Sequence, residues 1–515
     1  MADDIAAAST ASEDERRLHE LGYAQELMRR MSGFSNFAVS FTIISILSGC
    51  LTLYYFGMDE GGPAIIVWGW PVVGIMTLLV GLSMAEVCSS FPTAGGLYYW
   101  SAKLAPRNGP AWSWFTGWFN FLGQVAVTAG IDFGAAVFIN FLFSLWFNFD
   151  TTTRWHTIVI YAAVLLIHGL LNQFGIRLVA LLNDVSVWWH ITGVLIIVGA
   201  LIFGLKAGAH HASAGFVFGH LENLSGFHIG YWYILPVGLL MAQYTFTGYD
   251  ASAHMTEETH NAARSGPRGI VMSILISLIA GWILLIGVTF AIQKGSYATE
   301  AAAGTAAPGQ IFIDSIGRTG AELLLLIVIG AQLFCGMSSV TANSRMIYAF
   351  SRDGALPGSS LWSMVNKRTR TPTNAIWLAA GGALILGLPY LWNAAAYGAV
   401  TSIAVIGLYI AYVLPTFLRL RQGENFKRGP WHLGRWSYLI GWTAVVWVVI
   451  IFFLFMLPQF GPINLTTFNY ACIAVAAVIG YAGIYWLVSA KNWFKGPKVQ
   501  GSAEELAAIE RELSV

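Results

Sequence analysis

Apolar stretches of bilayer length follow one another along almost the whole of this chain, separated mostly by short polar connections. A helix needs about 20 mainly apolar residues to cross the hydrocarbon core. Read at that length, the sequence predicts twelve spans, at 34–56, 64–89, 111–147, 156–173, 184–205, 231–255, 268–292, 321–350, 374–391, 395–418, 437–457 and 468–489. Lipid offers no partner to a backbone N–H or C=O, so a span must be helical, or be shielded by protein wherever it is not. The predicted class is therefore an all-α integral membrane protein with twelve transmembrane helices. Only 10% of the 515 residues are charged and 56% are apolar, whereas a soluble domain carries roughly 25% charge.

Basic residues sort cleanly between the two sides. With both termini cytoplasmic, all but four of the 27 Lys and Arg residues flank the inner ends; the exceptions are Arg154, Lys206, Lys294 and Arg318. Such asymmetry sets orientation in a membrane, so the expectation is a multi-pass protein of the plasma membrane with both tails inside. The net charge of +1 gives no electrostatic reason for nucleic-acid binding. Cys50, Cys88, Cys335 and Cys472 sit in or beside apolar runs without metal or disulfide spacing, and read as small hydrophobes. The polar first thirty residues carry no signal-peptide core. His210, His211, His220 and His228 are irregularly spaced and read as a solvated outer loop; Asn223 and Asn464 open sequons on the same side.

Two spans are interrupted. The sixth contains Thr245-Phe246-Thr247-Gly248-Tyr249-Asp250, and the first contains Ser45, Ser48, Gly49 and Thr52 near its middle. They enter the membrane from opposite sides, five spans apart. Small residues can serve close helix packing, but corresponding breaks in two halves of a chain point to an inverted-repeat transporter and its binding site. The amides around Ser48, Gly49 and Cys50 would form an electropositive half-helix end, suited to a carboxylate. The carbonyls of Gln243, Tyr244 and Thr245 would attract an ammonium. A zwitterionic amine fits such poles, with Ser45, Phe246, Thr247 and Gly248 completing the candidate pocket. Gln124 and Asn120 share one face of span 3 and could add polar contacts.

Five motifs lie in order along nearly the whole chain: Ser48-Gly49 through Gly61-Gly62-Pro63 and Trp68-Gly69-Trp70; Ser83-Met84-Ala85-Glu86 with Phe91-Pro92-Thr93-Ala94-Gly95-Gly96; Phe246-Thr247-Gly248-Tyr249-Asp250 with Glu257-Glu258-Thr259, Asn261-Ala262 and Pro267; Asn343-Ser344-Arg345 with Phe350-Ser351-Arg352-Asp353-Gly354; and Arg370-Thr371-Pro372. In these the chain resembles the amino acid/polyamine/organocation permeases, in particular the amino acid/choline branch that includes 4-aminobutyrate permeases. The resemblance implies a LeuT-type fold of five plus five inverted spans with two appended, working by alternating access. It divides the chain into a cytoplasmic tail (1–32), a transporter body (33–490; repeats at about 33–206 and 230–420, helices 11–12 at about 437–490) and a second tail (491–515). The family's span 1 pattern falls on Leu47-Ser48-Gly49, with Leu47 where glycine is usual, and its aromatic gate falls on Tyr244. His190 in span 5 matches a position where many relatives carry a lysine bridging spans 1 and 8.

Ionisable residues at bilayer depth are functional candidates. His190 suits proton coupling, because histidine changes charge near neutral pH; the alternative is a neutral core histidine. Asp132, Asp184 and Asp250 could serve structure or solute. Glu86, Glu257, Glu258 and Arg345, with Arg264, Arg268 and Arg352, read as an inner gate or as solvated helix ends. Ser338, Ser339 and Thr341 could contribute to a sodium site, although hydroxyls in packed helices more often bond their own backbone.

The function expected is secondary active transport of a small amino acid or amine, with 4-aminobutyrate or a neutral amino acid preferred, driven by protons rather than sodium. Alternatives are a choline, ethanolamine or polyamine permease, or an exchanger. A channel fits the paired poles less well, and enzyme motifs (Walker A, HExxH, GxSxG with a triad) are missing from the sequence. No cofactor, bound metal or obligate protein partner is expected beyond the solute and the lipid bilayer.

Overall fold

The computed structural model describes residues 13–174, 176–498, 501–502, 505–506 and 509–510. Among them, eleven helices are long and apolar enough to cross a membrane. The sixth span supplies the twelfth crossing in pieces: Tyr231–Gly238, Leu240–Thr245 and Ala251–His254. Its interruption removes it from any search for one long helix. Span 1 is broken too, into Gly33–Ile44 and Ile46–Thr52, followed by a short helix Tyr54–Asp59.

Span 3, Gly109–Phe147, is one continuous helix of 39 residues. At 1.5 Å per residue it is about 58 Å long, nearly twice the ~30 Å hydrocarbon core. It crosses span 10, Ala396–Gln422, where two glycines meet: a Cβ on Gly123 would lie 2.6 Å from Leu408 N, and one on Gly407 would lie 2.7 Å from Gly123 Cα. Without side chains there, the two backbones touch. Span 2, Gly62–Ser90, packs on span 7, Ala262–Phe290, by seating Trp70 on Gly281. Large apolar side chains such as Ile75, Leu195, Phe203, Ile450 and Leu487 remain exposed on the surface, as a lipid-facing surface requires. Spans 11 and 12, Ser437–Leu454 and Ala471–Tyr485, are the least enclosed.

Three features differ from the sequence reading. Span 5 starts at Ile176 rather than 184, because the helix runs on past Arg177 beyond its apolar stretch. The connection after span 2 holds a separate helix, Gly96–Leu104. The N-terminal segment does not behave as a free polar tail: Leu18, Leu21, Tyr23 and Leu27 are buried against the basic ends of the spans. Asp14 accepts hydrogen bonds from the amides of Asn261 (2.6 Å) and Ala262 (3.0 Å) at the start of span 7, and Arg29 donates to the carbonyls of Thr256 and Thr259.

The Gly123–Gly407 crossing is open to test. Gly123→Val places a branched side chain against backbone that has no room to retreat, at a cost of about 1–3 kcal/mol or more. Thermal unfolding in detergent should show a clearly lowered midpoint. Gly381→Ala on span 9, Thr373–Gly387, where a Cβ would meet nothing within 4 Å, should leave the midpoint unchanged.

Candidate substrate site at two broken helices

The first half-helix of span 1 ends at Ser45, whose φ of 42° lies in the left-handed region. That conformation is unfavourable for a residue with a Cβ and persists here because three neighbours hold it. Ser45 Oγ lies 2.7 Å from His190 Nε2 on span 5, Ser45 N donates to Phe41 O, and Cys335 Sγ of span 8, Arg318–Arg352, donates to Ile43 O at 3.2 Å. The amides of Ser48 and Gly49 both donate to Ser45 O at 2.8 Å. The turn sits at the first residue of the Ser45–Thr52 stretch that the sequence marks as interrupted. Helical geometry leaves the first-turn amides of Ile46 and Leu47, not those of Ser48, Gly49 and Cys50, without intrahelical acceptors.

Span 8 fastens the second half-helix. Ser48 Oγ donates to Gln332 Oε1 (2.6 Å), Gln332 Nε2 donates to Thr52 Oγ1 (2.8 Å), and Thr52 Oγ1 donates to Ser48 O (2.7 Å). Leu47, which replaces the glycine usual in the resembled family, turns its side chain onto Gly193 of span 5. A Cβ on Gly193 would be 2.6 Å from Leu47 Cδ1. The room made by a missing side chain thus lies on the neighbouring helix. Cys50 is buried in the same half-helix.

Span 6 breaks between Thr245 and Ala251, with Gly248 at a φ of 83°. The two breaks touch: a Cβ on Gly49 would lie 2.5 Å from Thr245 Cγ2, and one on Gly248 would lie 2.2 Å from Ile43 Cγ2. Two of the three carbonyls expected to form the ammonium pole, those of Tyr244 and Thr245, already have protein donors, as does the next one, Phe246 O. Tyr244 O accepts from Thr247 Oγ1 (2.7 Å), Thr245 O from Thr247 N (2.9 Å), and Phe246 O from Tyr409 Oη. Phe246 packs on Trp70 with ring centroids 4.4 Å apart. Tyr244 reaches span 3, where a Cβ on Gly130 would be 2.5 Å from its hydroxyl. That hydroxyl is buried and has no hydrogen-bond partner among the described residues. A buried polar atom left free in this way is what a bound solute or water would satisfy. Gln243 is turned elsewhere, its Oε1 accepting from Trp447 of span 11 at 3.2 Å.

Gln124 meets the span 6 break at its last residue, Asp250. Its Nε2 donates to Asp250 Oδ2 at 2.7 Å, Tyr412 Oη donates to Asp250 Oδ1 at 2.7 Å, and Gly248 N donates to Tyr412 Oη at 3.2 Å. His254, which the sequence reading passed over, lies 3.2 Å from Asp250 Oδ2 through Nε2 and 2.9 Å from Ala94 O through Nδ1. The i, i+4 spacing of Asp250 and His254 on a resumed helix was the signal that would have found it. His190 bonds Ser186 O through Nδ1 at 2.7 Å. Asp132 pairs with His168 (3.1 Å), and Asp184 accepts from Ser35 (3.1 Å). The hydroxyls of Ser338, Ser339 and Thr341 are each bonded to protein, to Phe334 O, Thr128 and Asn172 respectively.

The two ends of the bundle are closed by different chemistry. At the end rich in Lys and Arg, Glu257 pairs with Arg352 (3.2 Å), Glu258 with Arg345 (2.8 Å) and Glu86 with Arg419 (3.0 Å), all buried or nearly so. Arg264 and Arg268, expected in this gate, are exposed. Tyr23 of the N-terminal segment lies 3.9 Å from the Arg352 guanidinium and donates to Asp353. A cavity of about 610 Å³ opens between spans 1, 5 and 8 at this end, lined by Met31, Val39, Asn183, Glu258 and Thr341, and stops short of the breaks.

At the far end, Glu60 is fully buried where span 1 turns into span 2, and neither carboxyl oxygen has a partner among the described residues. Burial, reinforced by the adjacent Asp59, pushes its carboxyl from 4.5 up to about 9. A carboxyl raised in the folded state gives stability that is present below its unfolded value and is lost as pH rises through the folded one. The thermal midpoint should therefore fall between about pH 6 and pH 9, by at least a few degrees, and Glu60→Gln should flatten that slope. An equal slope in the variant would show that Glu60 is not its source.

The geometry agrees with comparisons of the sequence. The family model described as amino acid permease matches residues 31–479. The amino-acid permease BAT1 homolog of Oryza sativa subsp. japonica is 46% identical, over 93% of this chain and 95% of its own length. Amino-acid permease BAT1 of Arabidopsis thaliana is likewise 46% identical, over 93% and 95%. The GABA-specific permease of Saccharomyces cerevisiae is 35% identical, over 97% of this chain and 88% of its own. Two broken helices back to back inside a shell of apolar spans, matched along nearly their full length, place this chain in the amino acid permease family: a multi-pass membrane transporter and not an enzyme.

Proposed function

We propose that this chain moves a neutral amino acid or 4-aminobutyrate across the plasma membrane by alternating access, with proton entry as the driving force and the Lys- and Arg-rich end in the cytoplasm. The observation that carries the reading is the contact between the two breaks at Gly49 and Thr245, beside the unpartnered Tyr244 hydroxyl. The Ile46 and Leu47 amides form the electropositive end of a half-helix there, suited to a carboxylate without any cationic side chain. The ammonium then takes what the occupied carbonyls leave, chiefly the Tyr244 hydroxyl and ring. The 35% identity to a permease named for GABA supports 4-aminobutyrate as a candidate. Proton drive is supported by ionisable side chains at bilayer depth, among them His190 against Ser45, while the hydroxyls considered for sodium are engaged with protein.

The pocket walls favour a small solute. Phe246 is committed to Trp70 and Tyr244 to span 3, so the two rings do not form the open cage that holds a quaternary ammonium. Purified protein in liposomes, preloaded with neutral amino acids, 4-aminobutyrate, choline or ethanolamine in turn, should exchange labelled 4-aminobutyrate or a neutral amino acid with saturable counterflow and should leave choline outside. Saturable choline exchange would reverse the substrate assignment; a conductance without saturation would overturn the carrier reading.

A further inference from the structure

The cavity of about 610 Å³ at the basic end has two kinds of wall, and a neutral solute needs neither. Its inner wall is apolar, with Met31, Val39, Val179 and Met255 buried around it. That wall continues outward into Phe174, the last residue of span 4, Arg154–Phe174, and Leu178 of span 5, Ile176–Phe203. These two are 70% and 44% exposed, so the cavity runs into the lipid-facing surface. Its rim is cationic. Arg30 comes from the segment before span 1, Arg177 from the first turn of span 5, and Arg368 from the connection between spans 8 and 9.

All three arginines are exposed, and none of their guanidinium groups has a hydrogen-bond or ionic partner among the described residues. A fourth, Arg370, is engaged with the carbonyls of Glu26 and Gln25 at 3.0 and 3.1 Å. The acidic side chains nearby do not pair with the rim. Glu258 holds Arg345 at 2.8 Å, and Asp184, beside Ser35, takes that residue's hydroxyl at 3.1 Å. Like charges on three separate elements around one cavity favour an anion between them. A free phosphate would meet the rim but leave Phe174, Leu178 and the buried methionines facing water. An anion carried on a hydrocarbon chain satisfies both walls, at the span ends where lipid headgroups lie.

We propose that this cavity is a binding site for an anionic phospholipid, its phosphate held by Arg30, Arg177 and Arg368 and an acyl chain lying along Leu178 and Phe174. The bound lipid joins the first half-helix of span 1 to span 5. A hydrogen bond from Ser35 to Asp184 already links those two elements at this end, and the phosphate adds an ionic link from Arg30 to Arg177. The half-helix that ends at the Ser45 turn is thereby braced from its outer end. In the orientation proposed above the lipid belongs to the cytoplasmic leaflet, where anionic lipids concentrate. Binding itself depends neither on that orientation nor on which solute is carried.

Full-length protein is purified in a neutral detergent, and its thermal midpoint is followed as dioleoylphosphatidylglycerol or dioleoylphosphatidylcholine is added. A ligand that binds the folded state raises the midpoint by mass action. Wild type should gain a few degrees more from phosphatidylglycerol than from phosphatidylcholine, and should retain phosphatidylglycerol in native mass spectra. Arg177→Gln combined with Arg368→Gln should abolish that preference. Leu178→Trp, which fills the cavity and leaves every charge in place, should abolish it too. Lys427→Gln combined with Arg428→Gln removes as much charge from the exposed connection between spans 10 and 11, outside the cavity, and should keep it. Each variant should match wild type in phosphatidylcholine, the sign that it folds. Equal loss in both double variants overturns the inference in favour of a general attraction of the basic end for anionic lipid. It is overturned as well if glycerol 3-phosphate alone reproduces the shift, or if wild type shows no preference. These measurements involve no transport, so their failure is distinct from failure of the carrier reading.

Discussion

Lipid gives a backbone nothing to bond to, and the rest of this structure follows from how two interruptions of helix are made tolerable under that constraint. At Ser45 the turn is held by the residue's own carbonyl, which takes the amides of Ser48 and Gly49, and by an imidazole on its hydroxyl. At Phe246 to Asp250 the freed carbonyls are taken by Thr247 and Tyr409, and the Gly248 amide by Tyr412. These donors and acceptors come from spans 5 and 10 or from the breaks themselves, and Cys335 of span 8 adds a bond to Ile43 O. These neighbours are therefore part of the site even where they never approach a solute. The cost of leaving a buried polar group unpaired, ~1–3 kcal/mol apiece, makes such spans fixed brackets; among the described residues the side-chain atoms of span 6 left free at the break include the Tyr244 and Tyr249 hydroxyls and Gln243 Nε2.

Close packing serves the same end. Gly123 on Gly407, Gly193 under Leu47 and Gly49 under Thr245 bring backbones and short side chains within reach of the atoms they satisfy. The Leu47 case shows how the requirement is met without the expected residue: the space belongs to the pair of facing positions, and either may supply it.

The sequence carried the architecture because bilayer thickness and charge asymmetry are one-dimensional signals. The twelve crossings, the broken first and sixth spans and the touching of the breaks were all legible in apolar length and in Gly, Ser and Thr placement. The site was legible only as a neighbourhood. Which of Ser45, Ser48 and Gly49 carries the turn depends on His190 and Cys335 arriving from elsewhere in the chain, and no local pattern encodes that arrival. Gln124 was legible as a polar residue at bilayer depth, but its partner, Asp250 of the span 6 break, is 126 residues away and no local pattern shows the bond. The docking of the N-terminal segment was not legible because Leu18, Leu21, Tyr23 and Leu27 are too few for a span, and the packing of Tyr23 on Arg352 is a tertiary event.

The chemistry of the two ends differs. Paired charges hold the basic end, and buried pairs hold their geometry tightly but weaken sharply when one partner moves. At the far end the Glu60 carboxyl is buried without a partner among the described residues, and burial keeps it uncharged at neutral pH. The basic end therefore responds to displacement of one member of a pair, and the far end to the ionisation of a single carboxyl.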